Sequence, residues 1–376
     1  MPKVGTANLP LHGGKAPRWL FKRMVKLSEG IIDAIILEHG VKEFFKRLSD
    51  PFWFQAFSCV LGFDWHSSGT TTVTCGALKQ AINPEKHGIA INGGKGKASK
   101  KTLEEIEKNG DFLNISTKNI DEMKYSSRMA AKVDNNAIQD QHSLYHHVFI
   151  FSEKGDWNVI QQGINSDTKF ARRYHWSSEK LEEFLNDPHD SILGKKNKDK
   201  VLDMGSKDSI KNQETCVDLV NDNPVHLKHD WATLNLNKNQ KTLFNYNEMK
   251  RGNSFSVENL DMPYRINWKK MREIYEFQPE NYEKMLSLKG VGSNTVRALA
   301  LISDLIYGEK PSWEDPVKYS FAVGGKDGVP FPVDKEAMDN SADILKKGVD
   351  EAKLKKKEKI KALKRLKEFC KTKEAG

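Results

Sequence analysis

The sequence predicts an α+β protein: a mixed α/β N-terminal domain, then a mainly α domain, then a basic helical tail. Three observations predict it. Apolar residues recur every three or four positions over 16–61 and again from about 216 to 350, which is the period of a helix. Between these regions, Tyr145–Phe151 and Trp157–Gln162 are strand-like runs around the turn Lys154-Gly155-Asp156, a β-hairpin signature. The chain of 376 residues is also long enough to bury two or three cores. The expected division is a first domain at 1–189, a polar linker or mobile loop at 190–215, a helical domain at 216–350 and a tail at 351–376.

Taken in order, Trp19, Leu20, Met24, Leu27, Ile31, Ile32, Ile35 and Ile36, then Phe44, Phe45 and Leu48, predict helix over 16–48. Asp50-Pro51 is a helix start, and the helix it opens buries Phe54, Phe57, Val60 and Leu61. The β-branched run Gly69-Thr70-Thr71-Thr72-Val73-Thr74 reads as a strand, with helix resuming over Ala77–Ile82. Residues 88–101 mix glycine with lysine. The stretch after Gly194 is polar and poor in aromatics, which suggests a loop. Met271–Phe277 and Ala337–Val349 return to helical spacing. In the tail, Lys353, Lys355, Lys356, Lys357, Lys359, Lys361, Lys364, Arg365 and Lys367 surround Leu354, Ile360, Leu363, Leu366 and Phe369. That pattern is either a basic amphipathic helix or a solvated tail.

The net charge of +9 and pI near 9.1 point to a polyanionic partner, although charge also serves solubility or a membrane surface. Cys59, Cys75, Cys216 and Cys370 form no C-x-x-C pair, which argues against a disulfide framework or a cysteine zinc site. No signal-peptide pattern and no apolar run near ~20 residues is present, so a soluble, cytoplasmic protein without membrane attachment is expected.

The most informative stretch is 285–300. Met285, Leu286 and Leu288 end one helix, Gly290-Val291-Gly292 turns the chain, and Val296, Leu299 and Ala300 continue a second helix from Ser293. Glycines allow a tight turn and close approach of another molecule. The following helix start offers free amides and the positive end of its dipole to a phosphate. The pattern resembles the helix-hairpin-helix element of DNA repair proteins, which makes the second domain a helix-hairpin-helix domain. Lys289, Gly290, Val291, Gly292 and Arg297 are then the candidate contacts to the DNA backbone, with little sequence preference. The alternative is an ordinary helical hairpin.

Chemistry-bearing residues gather in the first domain. Asp134 and Asp140 precede His142, His146 and His147. Carboxylates beside a histidine can hold Mg2+ or Mn2+ and activate water for phosphodiester cleavage. The spacing is not a zinc signature, since 146 and 147 face opposite sides of a strand. In Arg172-Arg173-Tyr174-His175-Trp176, the two guanidiniums suit phosphate, an aromatic ring suits an unpaired base, and His175 suits proton donation. Lys95 and Lys97, within Gly93-Gly94-Lys95-Gly96-Lys97, offer ammonium charges but lack the spacing of a nucleotide-triphosphate loop. Asp64-Trp65-His66-Ser67-Ser68-Gly69 is polar enough for a site without matching a hydrolase pattern.

Four segments together resemble one prokaryotic, largely archaeal family, the domain of unknown function 763. They are Gly5–Gly14, Ala130-Ala131-Lys132-Val133-Asp134-Asn135, Leu144-Tyr145-His146-His147 and Ala171–Trp176, and the resemblance runs from about residue 3 to 350. The C-terminal part is similar to helix-hairpin-helix DNA glycosylases. That resemblance implies a catalytic aspartate after an apolar segment, which Phe331-Pro332-Val333-Asp334 matches at Asp334. A carboxylate there would stabilise an oxocarbenium ion or activate a nucleophile. Asn294 stands where lyase-type members carry lysine, so no Schiff base can form. Asp334 also suits a plain helix N-cap.

The leading expectation is a DNA-processing, repair-type enzyme: a hydrolytic nuclease whose first domain cleaves the backbone while the helical domain grips it. Its participants would be Asp134, Asp140, His146, Arg172, Arg173 and His175. The alternatives are a monofunctional glycosylase using Asp334, and a non-catalytic DNA-binding scaffold.

Overall fold

The computed structural model describes residues 9–11, 16–62, 68–196, 200–239, 262–263, 265–317, 345–346, 348–350, 360 and 362–364. The N-terminal layer is helical for the reason that the apolar spacing gives. Helix α1 (Arg18–Ser49) buries Met24, Leu27, Ile31, Ile32 and Ile35, then bends at Gly40 (φ +83°) before burying Phe44, Phe45 and Leu48. Asp50 starts α2 (Pro51–Leu61). Its carboxylate accepts from the amides of Phe52 (2.8 Å) and Trp53 (3.3 Å), while Pro51 costs no hydrogen bond at that position. Left-handed Gly62 ends the helix.

Helix α3 (Ser68–Ala81) contains the threonine run that sequence reads as a strand. Tertiary context wins here. Thr70, Thr71, Thr74 and Cys75 are buried at helical spacing, and the Thr74 hydroxyl donates to Ser58 Oγ on α2 at 2.9 Å. Short α4 (Pro84–His87), capped by Asn83, leads into the sheet.

The sheet is antiparallel and runs β1 (Leu9–Pro10), β6 (Phe170–Ser177), β5 (Trp157–Ile164), β4 (Ser143–Ser152), β2 (Ile89–Lys95). Strand β7 (Ser191–Leu193) joins β6 on the side that β1 occupies. The hairpin β4–β5 turns at Lys154–Asp156, as its sequence predicts. One irregularity matters. Leu144 pairs with Gly163 and His146 with Gln162, so Tyr145 is the extra residue of a β-bulge.

Both faces of the sheet are covered. On one, Val148, Ile150, Ile160 and Ile91 pack against α1, α2 and α3. On the other, Phe149, Phe151, Val159, Tyr174 and Trp176 pack against α5 (Thr102–Phe112), α6 (Thr117–Lys132) and the C-terminal helices. A single turn of π-helix (Val133–Ala137) ends α6, and a small ribbon pairs β3 (Ile138–Gln139) with β8 (Leu202–Asp203).

Helices α7 (Ile210–Asn221), α8 (Pro224–Asn239), α9 (Trp268–Phe277), α10 (Tyr282–Ser287) and α11 (Ser293–Tyr307) complete the described elements. Met285, Val296 and Leu299 share one apolar cluster with the sheet residues Val159 and Trp176, so sheet and helices have a continuous core. The 190–215 stretch, expected to be a linker or mobile loop, contains β7, β8 and the start of α7. Ile192, Leu193, Val201, Leu202 and Met204 in it are buried, and residues 197–199 lie outside the described residues.

Gly93 shows how tightly β2 and β4 meet. Its φ is +89°, and a Cβ there would stand 2.3 Å from the His147 carbonyl oxygen and 2.4 Å from Thr102 Oγ1. Gly93→Ala should therefore lower unfolding free energy by roughly 3 kcal/mol, combining left-handed strain with overpacking. Urea titration reads this directly, and an unchanged midpoint would show that the strand yields.

Candidate functional site

Strands β4, β5 and β6 are buried on both faces yet carry polar residues in adjacent pairs: His146-His147, Gln161-Gln162 and Arg172-Arg173. Because successive side chains alternate, each pair sends one member to each face. Two separate polar centres result, back to back across the sheet.

The first faces α6 and the C-terminal helices. Asp134, on the π-helical turn, accepts through Oδ2 from Gln161 Nε2 (2.5 Å) and the Trp176 indole (3.1 Å), and its Oδ1 contacts His189 Nε2. With its amide nitrogen committed to Asp134, Gln161 turns its oxygen to His147 Nδ1 (2.8 Å). That nitrogen must be the donor, which leaves His147 Nε2 to accept from the Ser127 hydroxyl at 2.8 Å. Burial pushes Asp134 above the ordinary carboxylate value, with His189 and Trp176 offsetting only part of the cost. Burial also brings His147 down to about 4, so the ring is neutral near pH 7.

Arg172 lies beside this network. It donates to Asp140 Oδ2 and Asp315 Oδ2, each at 2.7 Å, and to the Lys195 carbonyl at 3.0 Å. Tyr174 also donates to Asp140 (2.8 Å), and the His142 amide donates to its other oxygen (2.9 Å). Burial works to raise Asp140, but Arg172 and then His142 override it and hold the carboxyl at about 2. For the same reason Arg172, which burial alone would destabilise as a cation, is held above its ordinary value.

The second centre faces α2 and α3. The pairing register places Lys95, His146, Gln162 and Arg173 on one rung across β2, β4, β5 and β6. Gln162 donates to the Ser68 carbonyl (2.8 Å) and contacts the Tyr145 hydroxyl, while the Thr71 hydroxyl donates to the Gln162 oxygen. Among the described residues Arg173 meets neutral acceptors alone: Gln55 Oε1 (3.2 and 3.3 Å) and Thr71 Oγ1 (3.5 Å), with its guanidinium 4.6 Å above the Phe54 ring. Burial lowers its pKa to about 10. Its Nε and both His146 ring nitrogens are buried and have no hydrogen-bond partner among the described residues. Burial, aided by His147 and Lys95, brings His146 down to about 3.

His175 lies on the same side of β6, edge-on to Phe54 at 5.5 Å. The Leu48 backbone lies close to it without a well-formed hydrogen bond, and burial and Arg173 push it well below the ordinary imidazole value. Cys75, whose thiol burial pushes up to about 12, also lies near Arg173.

The structure thus brings together Lys95, His146, Arg173 and His175, and separates them from Asp134, Asp140 and Arg172. Lys97 is exposed in the 3-10 turn (Gly96–Lys101) that follows β2. Asp334 and residues 63–67 lie outside the described residues. Among the described residues, no group of three or more His, Cys, Asp or Glu side chains is placed to hold a metal ion. No described helix is long and apolar enough to cross a membrane.

Gln55, Thr71, Tyr145, Gln161, Gln162, Ser127 and His189 were not singled out by sequence. Two adjacent glutamines inside an apolar strand were the available signal, since a buried amide must be placed for its hydrogen bonds.

The third group surrounds the glycine turn. After α10, Gly290 takes φ +91°, the Val291 side chain is buried beneath the turn, and Gly292 starts α11 with no side-chain cap. Lys132 reaches under the turn and donates to the carbonyls of Leu286 (2.6 Å), Leu288 (2.6 Å) and Val291 (3.3 Å). Lys289 and Gly290 are exposed. Gln139 donates to the Ser293 carbonyl (2.8 Å) and accepts from Arg297 (2.7 Å), fixing the first turn of α11 to β3.

These features define an α+β protein with a double-sided polar sheet and a cation-backed glycine turn. The chain belongs to the family described as "Protein of unknown function (DUF763)", whose model matches residues 5–333. Comparison with curated proteins and comparison with solved structures each return no significant match.

The Asp140–Arg172–Asp315 cluster has a measurable consequence. Asp140 is held below its ordinary value in the folded chain, so it adds stability above about pH 4 that is lost as pH falls toward 2. Asp140→Asn should cost about 3 kcal/mol at pH 7, since it leaves Arg172 with one carboxylate, and should flatten the acid limb of the stability curve. Urea unfolding at pH 7 and pH 3 checks both. An unchanged slope between them would refute the assignment.

Proposed function

We propose that this chain is a DNA-binding, DNA-processing enzyme of the repair type that hydrolyses the phosphodiester backbone, with the turn at Lys289–Gly292 holding the DNA. One observation carries the reading: a lysine, Lys132, holds three carbonyls around the turn while the helix start beside it has no side-chain cap. A helix start left open beside a glycine suits a phosphate.

The charge around it agrees. Burial, then the neighbouring cations Lys270 and Arg128, lower Lys132 to about 8. Lys270 itself lies against Gly290 and is paired with Glu273. This arrangement supports reading α10, the turn and α11 as a helix-hairpin-helix element.

The chemistry is assigned to the α3-facing side of the sheet. There Arg173, with no carboxylate of its own, is available to a phosphate, and His175 and His146 are uncharged near neutral pH. An uncharged imidazole starts as a proton acceptor, so His175 is cast as the base that activates water rather than as the proton donor. Arg172 and Asp140 are committed to each other and take a supporting part.

Binding should be nearly independent of sequence and should weaken steeply as salt rises, because phosphate contacts release counterions. Replacing both Gly290 and Gly292 with Val should reduce affinity at least tenfold, about 1.4 kcal/mol, with a thermal melt confirming the fold. A well-folded double variant that binds normally would make the turn purely structural.

Cleavage of end-labelled DNA tests the reaction. His175→Ala and Arg173→Ala should abolish product while leaving most of the binding. The EDTA arm reports whether Mg2+ or Mn2+ takes part. If Asp334→Asn stops product and His175→Ala does not, base excision at Asp334 replaces this reading. Salt-sensitive binding with no product from any substrate would leave a scaffold.

A further inference from the structure

We propose that the rung Lys95–His146–Gln162–Arg173, together with the first turn of α3, binds a single terminal phosphate group, so that the enzyme acts at phosphate-bearing DNA ends. This deepens the DNA-processing reading and rests on it.

Among the described residues the Arg173 charge meets no carboxylate, whereas Arg172, one residue away, has two. A buried cation without an anion costs several kcal/mol, and a well-packed apolar residue would avoid that cost. Arg173 Nε and both ring nitrogens of His146 are fully enclosed and unpartnered, in a place where native proteins nearly always satisfy polar atoms. An oxyanion supplies what each lacks: a countercharge for the guanidinium and an acceptor for the imidazole N–H.

A second element points at the same place. Ser68 and Thr71, from the first turn of the 14-residue helix α3, both meet Gln162, the rung member between His146 and Arg173.

Shape selects a chain end over an internal linkage. Along the rung, Lys95 is exposed, Tyr145 beside it is half-buried, and His146, Gln162 and Arg173 are buried. Lys95 lies 5.7 Å from the Tyr145 ring, at the open end of the row. Lys97, Lys100 and Lys101 are exposed just beyond it and would draw in a polyanion. At the other end the Phe54 ring and Gln55 close the row. A diester carries chain on both sides of its phosphorus and needs two exits, while a monoester needs one.

The test uses the full-length protein. Melts are recorded in inorganic phosphate and in chloride at equal ionic strength. Binding is measured to single-stranded oligonucleotides of one sequence ending in 5′-phosphate, 3′-phosphate or hydroxyl. Phosphate should raise Tm by about 2 °C, and one phosphorylated end should bind about tenfold more tightly than hydroxyl.

Lys95→Gln, at an exposed position, should remove most of both effects. Arg173→Met should lose the phosphate response while keeping the resting Tm, because it also removes an unmatched buried charge. The Gly290→Val, Gly292→Val double variant should weaken all oligonucleotides alike and retain the phosphate-induced rise in Tm. Loss of the turn reading is thereby told apart from loss of this one. No response in the wild type, or a response that survives both Lys95→Gln and Arg173→Met, overturns the site. A phosphate response without end preference overturns its assignment to DNA ends.

Discussion

Burial of β4, β5 and β6 on both faces is the constraint from which the rest follows. A strand exposed on one side sends its polar residues to water. These strands have no such side, so each polar residue must be matched inside the protein or must hold something that arrives. Period-two alternation then divides His146 from His147, Gln162 from Gln161 and Arg173 from Arg172. One row, His147–Gln161–Tyr174, meets the Asp134 and Asp140 carboxylates. The other, His146–Gln162–Arg173, meets no carboxylate among the described residues: its partners there are amide, carbonyl and hydroxyl groups and aromatic rings.

The two faces handle the same kind of charge in opposite ways. On the first, Arg172 lies between Asp140 and Asp315, every carboxylate oxygen named has a donor, and the cluster is closed. Such a cluster contributes little net stability, because desolvation offsets attraction, but removing one member is costly. On the second, the guanidinium is stabilised by ring-face contact and by neutral oxygens, a weaker set that leaves it short of a countercharge. Neutral imidazoles beside a guanidinium that meets no carboxylate among the described residues are the basis on which chemistry is proposed for this face.

Much of the fold was legible in sequence. The apolar period of Met24–Ile35, the Asp50-Pro51 start and the hairpin around Gly155 each encode a local choice that packing then respects. The Thr70–Thr74 run was misread as a strand because its β-branched character was weighed without its partners. Ser58 and the sheet accept those threonines only in helical spacing. The site was less legible, since its unity comes from register. Lys95, His146 and Arg173 are distant in the chain and become neighbours through strand pairing, and the Tyr145 bulge cannot be inferred from composition. Asp134 and His146 look like one cluster in sequence, but alternation assigns them to opposite faces.

The glycine turn is joined to the sheet by a short, stiff path. Lys132 is fixed by three carbonyls of the turn, and two residues later Asp134 is fixed by Gln161, Trp176 and His189. Asp134 sits in the π-helical turn that follows Lys132, and Gln139 on β3, just beyond that turn, grips the start of α11. The polar ends of this path are hydrogen-bonded, and Val133 and Ala137 are buried within the shared core. DNA held at the turn would therefore stand at a set distance from the sheet. Lys95, Lys97 and the half-buried Tyr145 lie at the β2 edge, on the way from the turn to the far face of the sheet. If the proposed reading holds, the turn would set where DNA is gripped, and the length of strand needed to reach Arg173 would set which phosphate arrives.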